Sequence, residues 1–146
     1  MEFRQAEILL IEDRLPDIRL TERAFKNGRI PTKVSVARDG EEALAFLRRQ
    51  GEFADAPRPD IILLDLGLPK MNGAEVLAEI KKDPSLKRIP VIVLTTSDAE
   101  QDVLDTYNRH ANAYTKKPVD MDEFVKTIRM IEDFWLSLVI LPRREL

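Results

Sequence analysis

Asp65 follows an apolar run, Ile61-Ile62-Leu63-Leu64, and precedes Leu66-Gly67-Leu68-Pro69. Such a run reads as a strand buried on both faces, and a carboxylate at its end is costly to bury without a partner. Two other apolar runs end in polar groups. Ile8-Leu9-Leu10-Ile11 leads into Glu12-Asp13, and Pro90 to Leu94 leads into Thr95-Thr96-Ser97. A further segment ends in Lys116-Lys117-Pro118. Four strand-like segments thus deliver acid, acid, hydroxyl and ammonium at their carboxyl ends, the edge at which open parallel sheets bind ligands. Glu12, Asp13 and Asp65 stay ionised together only around a cation. Cysteine is absent and His110 is the only imidazole, so the ligands are oxygens and the ion is a hard one. Few carboxylates plus waters favour Mg²⁺ over Ca²⁺. A carboxylate oxygen beside that ion can attack phosphorus and form an acyl phosphate. The ion and a lysine would neutralise the equatorial oxygens, and Thr95 could hydrogen-bond one of them.

The elements that must position these groups alternate between strand and helix. After the first strand, Ile18, Thr21, Ala24 and Phe25 fall on one helical face, stopped at Asn27-Gly28. Val34 to Val36 reads as a short second strand, and Asp39-Gly40 opens a helix with Ala43, Leu44 and Leu47 inward. Arg48 and Arg49 are expected in its last turn, where cations suit the helix dipole. Gln50 to Pro59 reads as a loop and Ile61 to Leu64 as the third strand. Ala74 to Lys82 is a helix with Val76, Leu77 and Ile80 inward, ended at Asp83-Pro84. Val91 to Leu94 is the fourth strand. Ser97-x-x-Glu100 resembles a capping box for a helix carrying Val103, Leu104 and Tyr107. Asn112 to Lys116 is a short fifth strand, and Asp120-x-x-Glu123 caps a last helix with Phe124, Val125, Ile128 and Ile131 inward. Five strands alternating with five helices imply a parallel sheet covered on both faces.

At 146 residues one domain is the default. A net charge of −3 is not the basic footprint of a nucleic-acid binder. No DNA-binding helix pair follows the last helix, so direct DNA binding is not expected. The lack of cysteine suits a reducing cytoplasm. No apolar signal peptide opens the chain, and no run reaches transmembrane length, so membrane insertion is not expected either.

The pattern resembles the receiver domain of two-component response regulators over roughly Glu7 to Asp133. The matches are Glu12-Asp13, Asp65, Thr95 and Lys117-Pro118, with Pro69 four residues and Gly73 eight residues beyond Asp65. The resemblance implies a doubly wound α/β fold with the flavodoxin-like strand order 2-1-3-4-5. It implies that Asp65 accepts phosphate from a phosphohistidine of a sensor histidine kinase. Asp13, Asp65 and the Gly67 backbone carbonyl would bind Mg²⁺ directly, and Glu12 would bind it through water. Lys117, its bond to Pro118 typically cis, would pair with the phosphoryl group. Thr95 would swing towards it, with Tyr114 turning inward as the switch aromatic. Gly67 stands where many members carry a larger polar residue, and Thr96 where Ala, Gly or Ser is usual. The long loop before Asp65, Asn108-x-His110-Ala111-Asn112, Lys117-Pro118-Val119-Asp120 and the tail Phe134-Trp135-x-x-x-Val139-x-Leu141-Pro142 resemble the small single-domain regulators of bacterial and cyanobacterial phytochromes. That implies a light-sensing kinase as donor.

Taken singly, these residues have plainer readings. Glu12-Asp13 fits a polar strand end, Asp65 a cap or turn, Tyr114 core packing, and Lys116 is the register alternative to Lys117. Gly73 suggests a backbone need such as positive φ. An Mg²⁺-dependent aspartyl-phosphate phosphatase lacks its second Asp, because Gly67 stands there. A flavodoxin-like carrier is opposed by Glu12-Asp13, which would repel a flavin phosphate. The full acid–acid–Thr–Lys set opposes a pseudo-receiver acting by binding alone. The chain is accordingly read as a phosphoryl-accepting switch, not a turnover enzyme. Residues 1–133 form the receiver. Residues 134–146 form a C-terminal extension too apolar to leave exposed, expected to pack on the domain or on a second copy in a homodimer.

Overall fold

The structure is a computed structural model that describes residues 5–96 and 99–138, with Glu100 and Leu138 described by their backbone alone. Five strands, β1 (Ala6–Ile11), β2 (Thr32–Ala37), β3 (Ile61–Leu64), β4 (Val91–Thr95) and β5 (Ala113–Lys116), form one parallel sheet in the order β2-β1-β3-β4-β5. Five α-helices connect and follow them: α1 (Leu15–Lys26), α2 (Gly40–Leu47), α3 (Gly73–Lys82), α4 (Glu100–Asn108) and α5 (Met121–Ile131). This is the doubly wound order expected for a receiver.

Alternation along the central strands builds two cores. Leu9, Ile11, Ile62, Leu64, Val91 and Val93 face α2 and α3, whereas Ile8, Leu10, Ile61, Leu63, Ile92 and Leu94 face α1 and α5. Burial on both faces is why these segments read as unbroken apolar runs. The caps at Asp39, Asn72 and Asp120 each accept a backbone N–H of the following turn.

Four local expectations need correction. Arg48 and Arg49 lie beyond α2, which ends at Leu47; Arg48 is its C-cap and Arg49 takes positive φ. α4 starts later than the capping box would place it, with Ala99 as its N-cap; Ser97 and the side chain of Glu100 lie outside the described residues. The inward stripe of α4 is also shifted. Leu104 is 53% and Tyr107 46% exposed, while Thr106 is buried with its hydroxyl donated to the Asp102 carbonyl at 2.6 Å. A threonine that satisfies its own hydroxyl within the helix can face the core, which residue type alone hides. Tyr107 is turned outward to cover β5, where its hydroxyl accepts the Tyr114 N–H at 3.1 Å.

Gly73 is the fourth correction. Its φ is not positive; an added Cβ would overlap the Asp65 carbonyl oxygen and lie 2.6 Å from Leu66 Cα. The requirement is room for α3 to start against the backbone of Asp65. Gly67 has no such constraint, since its nearest neighbour would be Asp65 Oδ2 at 3.9 Å.

Past α5 the chain continues as a π-helical stretch, Glu132–Leu138. Glu132 is fully buried; its Oε1 accepts the Arg29 N–H at 3.2 Å and its Oε2 lies 3.5 Å from the Arg129 guanidinium. Trp135 and Leu136 pack on the α1–α5 core, whereas Phe134 is exposed. Val139 to Leu146, the remainder of the extension, lie outside the described residues.

Gly73→Ala is expected to lower the urea midpoint by the equivalent of about 1–3 kcal/mol, the usual cost of overpacking against fixed backbone. Gly67→Ala should leave it within about 0.5 kcal/mol. Equal midpoints for the two variants would contradict the close approach at Gly73.

Candidate functional site

The carboxyl ends of β1, β3, β4 and β5 meet at one edge of the sheet. Glu12 continues β1, its N–H bonded to the Ala37 carbonyl. Asp65 continues β3, its N–H bonded to Ile11. Thr95 ends β4, and Lys117 extends the β4–β5 pairing by one rung, its N–H bonded to the Thr95 carbonyl at 2.6 Å. Backbone ladders thus carry the polar groups directly off the core.

The groups are nearly enclosed. Asp65 is 7% and Lys117 5% exposed, and Glu12 and Thr95 are buried. The Lys117 ammonium contacts Glu12 Oε1, lies 2.8 Å from Asp17 Oδ2 and 3.5 Å from Asp65 Oδ2. Glu12 Oε2 accepts the N–H groups of Asp13 and Arg14 at 3.0 and 3.4 Å. Asp65 Oδ1 accepts the Gly67 N–H at 3.3 Å. Arg38, at the end of β2, donates to the Asp13 backbone carbonyl at 2.7 Å and ties down the β1–α1 turn.

Burial, the hydrogen bond shared with Asp65 and the Asp65 charge push Glu12 up to about 8, against the pull of Lys117. Burial pushes Asp65 up as well. The Glu12 hydrogen bond, the Lys117 charge, the Thr95 hydroxyl and the Gly67 N–H outweigh it and hold Asp65 below its ordinary range. Burial pulls Lys117 down, but its bonds to Asp17 and Glu12 and the nearby acid charges raise it on balance. Burial thus favours the neutral form of Glu12, while the surrounding donors and charges favour an ionised Asp65 and a charged lysine. The ionised Asp65 is the form a nucleophile requires.

Glu12, Asp13 and Asp65 each offer a carboxylate oxygen within 4.8 Å of the others. Asp13 Oδ1 is buried without a hydrogen-bond partner. An orphaned hard oxygen in an all-carboxylate set, with no thiol in the chain, fits a divalent cation of the Mg²⁺ or Mn²⁺ kind.

Glu12, Asp13, Asp65, Thr95 and Lys117 converge as expected. Tyr114 stands apart, half-buried against the α2–α3 core. Thr96 is exposed at the end of β4 and does not line the enclosed space. His110 lies two residues past the end of α4 with positive φ, a conformation in which His is enriched. The Lys117–Pro118 bond is trans, contrary to expectation. Asp17 was not anticipated. An acid in a first helical turn is ordinary; its signal is that it follows Glu12-Asp13 within one short turn and so starts α1 at the same edge.

A family model described as "Response regulator receiver domain" matches residues 8–129. The chain is 50% identical over 135 residues to "Response regulator Rcp1" of Synechocystis sp., covering 92% of each. Among solved structures it is similar to the phosphorylated cyanobacterial phytochrome response regulator RcpA, with TM-score 0.93, 50% identity, and 96% of this chain and 100% of that one covered. It is also similar to the Mn²⁺-bound form of Rcp1, with TM-score 0.90, 49% identity, and 94% and 99% covered.

A cation entering this set favours the ionised form of Glu12, which burial opposes. Affinity for Mn²⁺, measured calorimetrically, should fall about tenfold per pH unit below about pH 8 and level off above it. Glu12→Gln should bind more weakly and without the slope; a flat profile in the unsubstituted protein would refute the assignment. The folded-state value lies above the unfolded 4.5. Glu12 therefore contributes stability to the metal-free chain below 4.5, and loses it as pH rises through about 8.

Proposed function

The chain belongs to the receiver-domain family of response regulators, and we propose that Asp65 is the residue through which it takes up a phosphoryl group from a sensor histidine kinase. The observation that carries this is the nearly enclosed Asp65 carboxylate, 3.5 Å from the Lys117 ammonium at the carboxyl edge of the sheet, where Lys117 and the Thr95 hydroxyl help hold it below its ordinary range. Asp65 attacks phosphorus as the bond from phosphorus to the donor imidazole nitrogen breaks, and the electron pair leaves with that nitrogen. Lys117 meets the charge on the equatorial oxygens, and Thr95 hydrogen-bonds one of them. Asp13, Asp65 and the Gly67 carbonyl would hold Mg²⁺, with Glu12 reaching it through water. The ion supplies the remaining neutralisation of phosphoryl charge. Tyr114, beside α4 on the edge strand, is the aromatic that follows Thr95.

Receivers of this family act as phosphoryl acceptors. Activity here is proposed to stop at self-catalysed acceptance and slow release. The similarity to Rcp1 and RcpA supports a phytochrome-type kinase as donor. No helix among the described residues is long and apolar enough to cross a membrane, and a cytoplasmic setting is proposed, with signalling by protein contacts and no direct DNA binding.

The receiver is proposed to span residues 1–133, with 134–146 as a homodimerisation segment. Trp135 and Leu136 are engaged by their own domain. Met130 and Phe134, one turn apart and exposed, continue as an outer apolar stripe.

With Mg²⁺ and phosphoramidate, the chain should gain one phosphoryl group by mass spectrometry, and Asp65→Asn none. Incorporation that persists in the variant would overturn the acceptor assignment. Ending the chain after Leu138 should convert a dimer to a monomer in light scattering while the domain stays folded. A monomeric full-length chain, or a dimer that survives truncation, would remove residues 139–146 from the interface.

A further inference from the structure

Lys117 contacts three carboxylates, and one of them has no part in the transfer described above. Asp17 lies in the first turn of α1, behind Pro16. Its Oδ2 accepts from Lys117 Nζ at 2.8 Å, closer than the 3.5 Å from that nitrogen to Asp65 Oδ2. The Asp17 side chain is 20% exposed where Glu12 is 2%, so Asp17 stands at the rim of the site and Glu12 at its floor. The Asp17 turn is held from behind: its carbonyl accepts the buried Thr21 hydroxyl at 2.8 Å.

A divalent ion held by Asp13 and Asp65, with Glu12 reaching it through water, would meet the ammonium where it now sits on Glu12. Lys117 must then leave Glu12, yet a lysine this enclosed cannot give up every carboxylate cheaply. Asp17 is the one carboxylate in contact with it, among the described residues, that lies outside the metal-ligating set. The contact is already made, so a small swing of the ammonium exchanges the floor for the rim.

We propose that Asp17 is a positioning residue for Lys117: it takes the ammonium off the acid floor when the cation enters, and releases it to the phosphoryl group on Asp65. This rests on the phosphoryl-acceptor reading of the site. Without Asp17 the lysine stays on the floor and competes with the cation.

The test is a double-mutant cycle of Asp17→Asn with Lys117→Met, and with Lys117→Gln as a second background. Mg²⁺ affinity is measured by calorimetry. Asp17→Asn should weaken binding about three- to tenfold more with the lysine present than without it, as expected for residues sharing one network. Equal losses in both backgrounds, or no loss, would overturn the proposal. Urea unfolding in chelator adds a metal-free readout: the cost of Asp17→Asn should shrink when Lys117 is replaced. A carboxylate that served only the α1 dipole would cost the same in each. Phosphoramidate labelling of the unsubstituted chain is the control. Its failure would strike the acceptor reading and leave the measured Asp17–Lys117 coupling intact.

Discussion

A buried ammonium surrounded by carboxylates is the constraint on which this molecule turns. Lys117 leaves β5 and Glu12 leaves β1, yet the strand order puts β4 and β3 between them. At roughly 4.8 Å per strand their backbones are about 14 Å apart. Contact is made because the lysine crosses over the ends of the two intervening strands, where Thr95 and Asp65 lie. Any other placement of β5 would strand either the cation or the acids, at several kcal/mol for an unpaired buried charge. Topology and chemistry are therefore one condition. The two-sided core holds β1, β3 and β4 in register, and the register brings the charges together.

The same constraint explains what could be read in advance. The apolar runs of β1, β3 and β4 are legible because burial on both faces leaves no room for polar residues. Asp65, Glu12 and Asp13 stand out against them as charges at the end of such runs. Where burial is partial, type and position separate. The inward line of α4 runs through Thr106, which has no apolar signature, while Leu104 and Tyr107 point away from the core. In sequence Asp17 has the type and place of any acid in a first helical turn, and only its 2.8 Å contact with Lys117 distinguishes it. Gly73 was legible as a requirement but not as a reason. Positive φ and close approach leave the same residue in a sequence, and only the overlap with the Asp65 carbonyl distinguishes them.

Lys117 also means that the acid cluster carries its own counter-ion. In small zinc domains the metal supplies the folding energy, and removing it unfolds the chain. Here the sheet, both cores and the acid set are assembled around an ammonium that belongs to the protein.

The phenol of Tyr107 on the Tyr114 amide has its own consequence. β5 is an outer strand, and outer strands offer bare backbone to any extended peptide. One rung of that offer is already taken, by a group from the neighbouring helix. An extended segment could not zip along this margin without first prying the phenol away. A segment docking on this flank would meet side chains before free backbone, and discrimination by side-chain chemistry is the kind that separates similar partners.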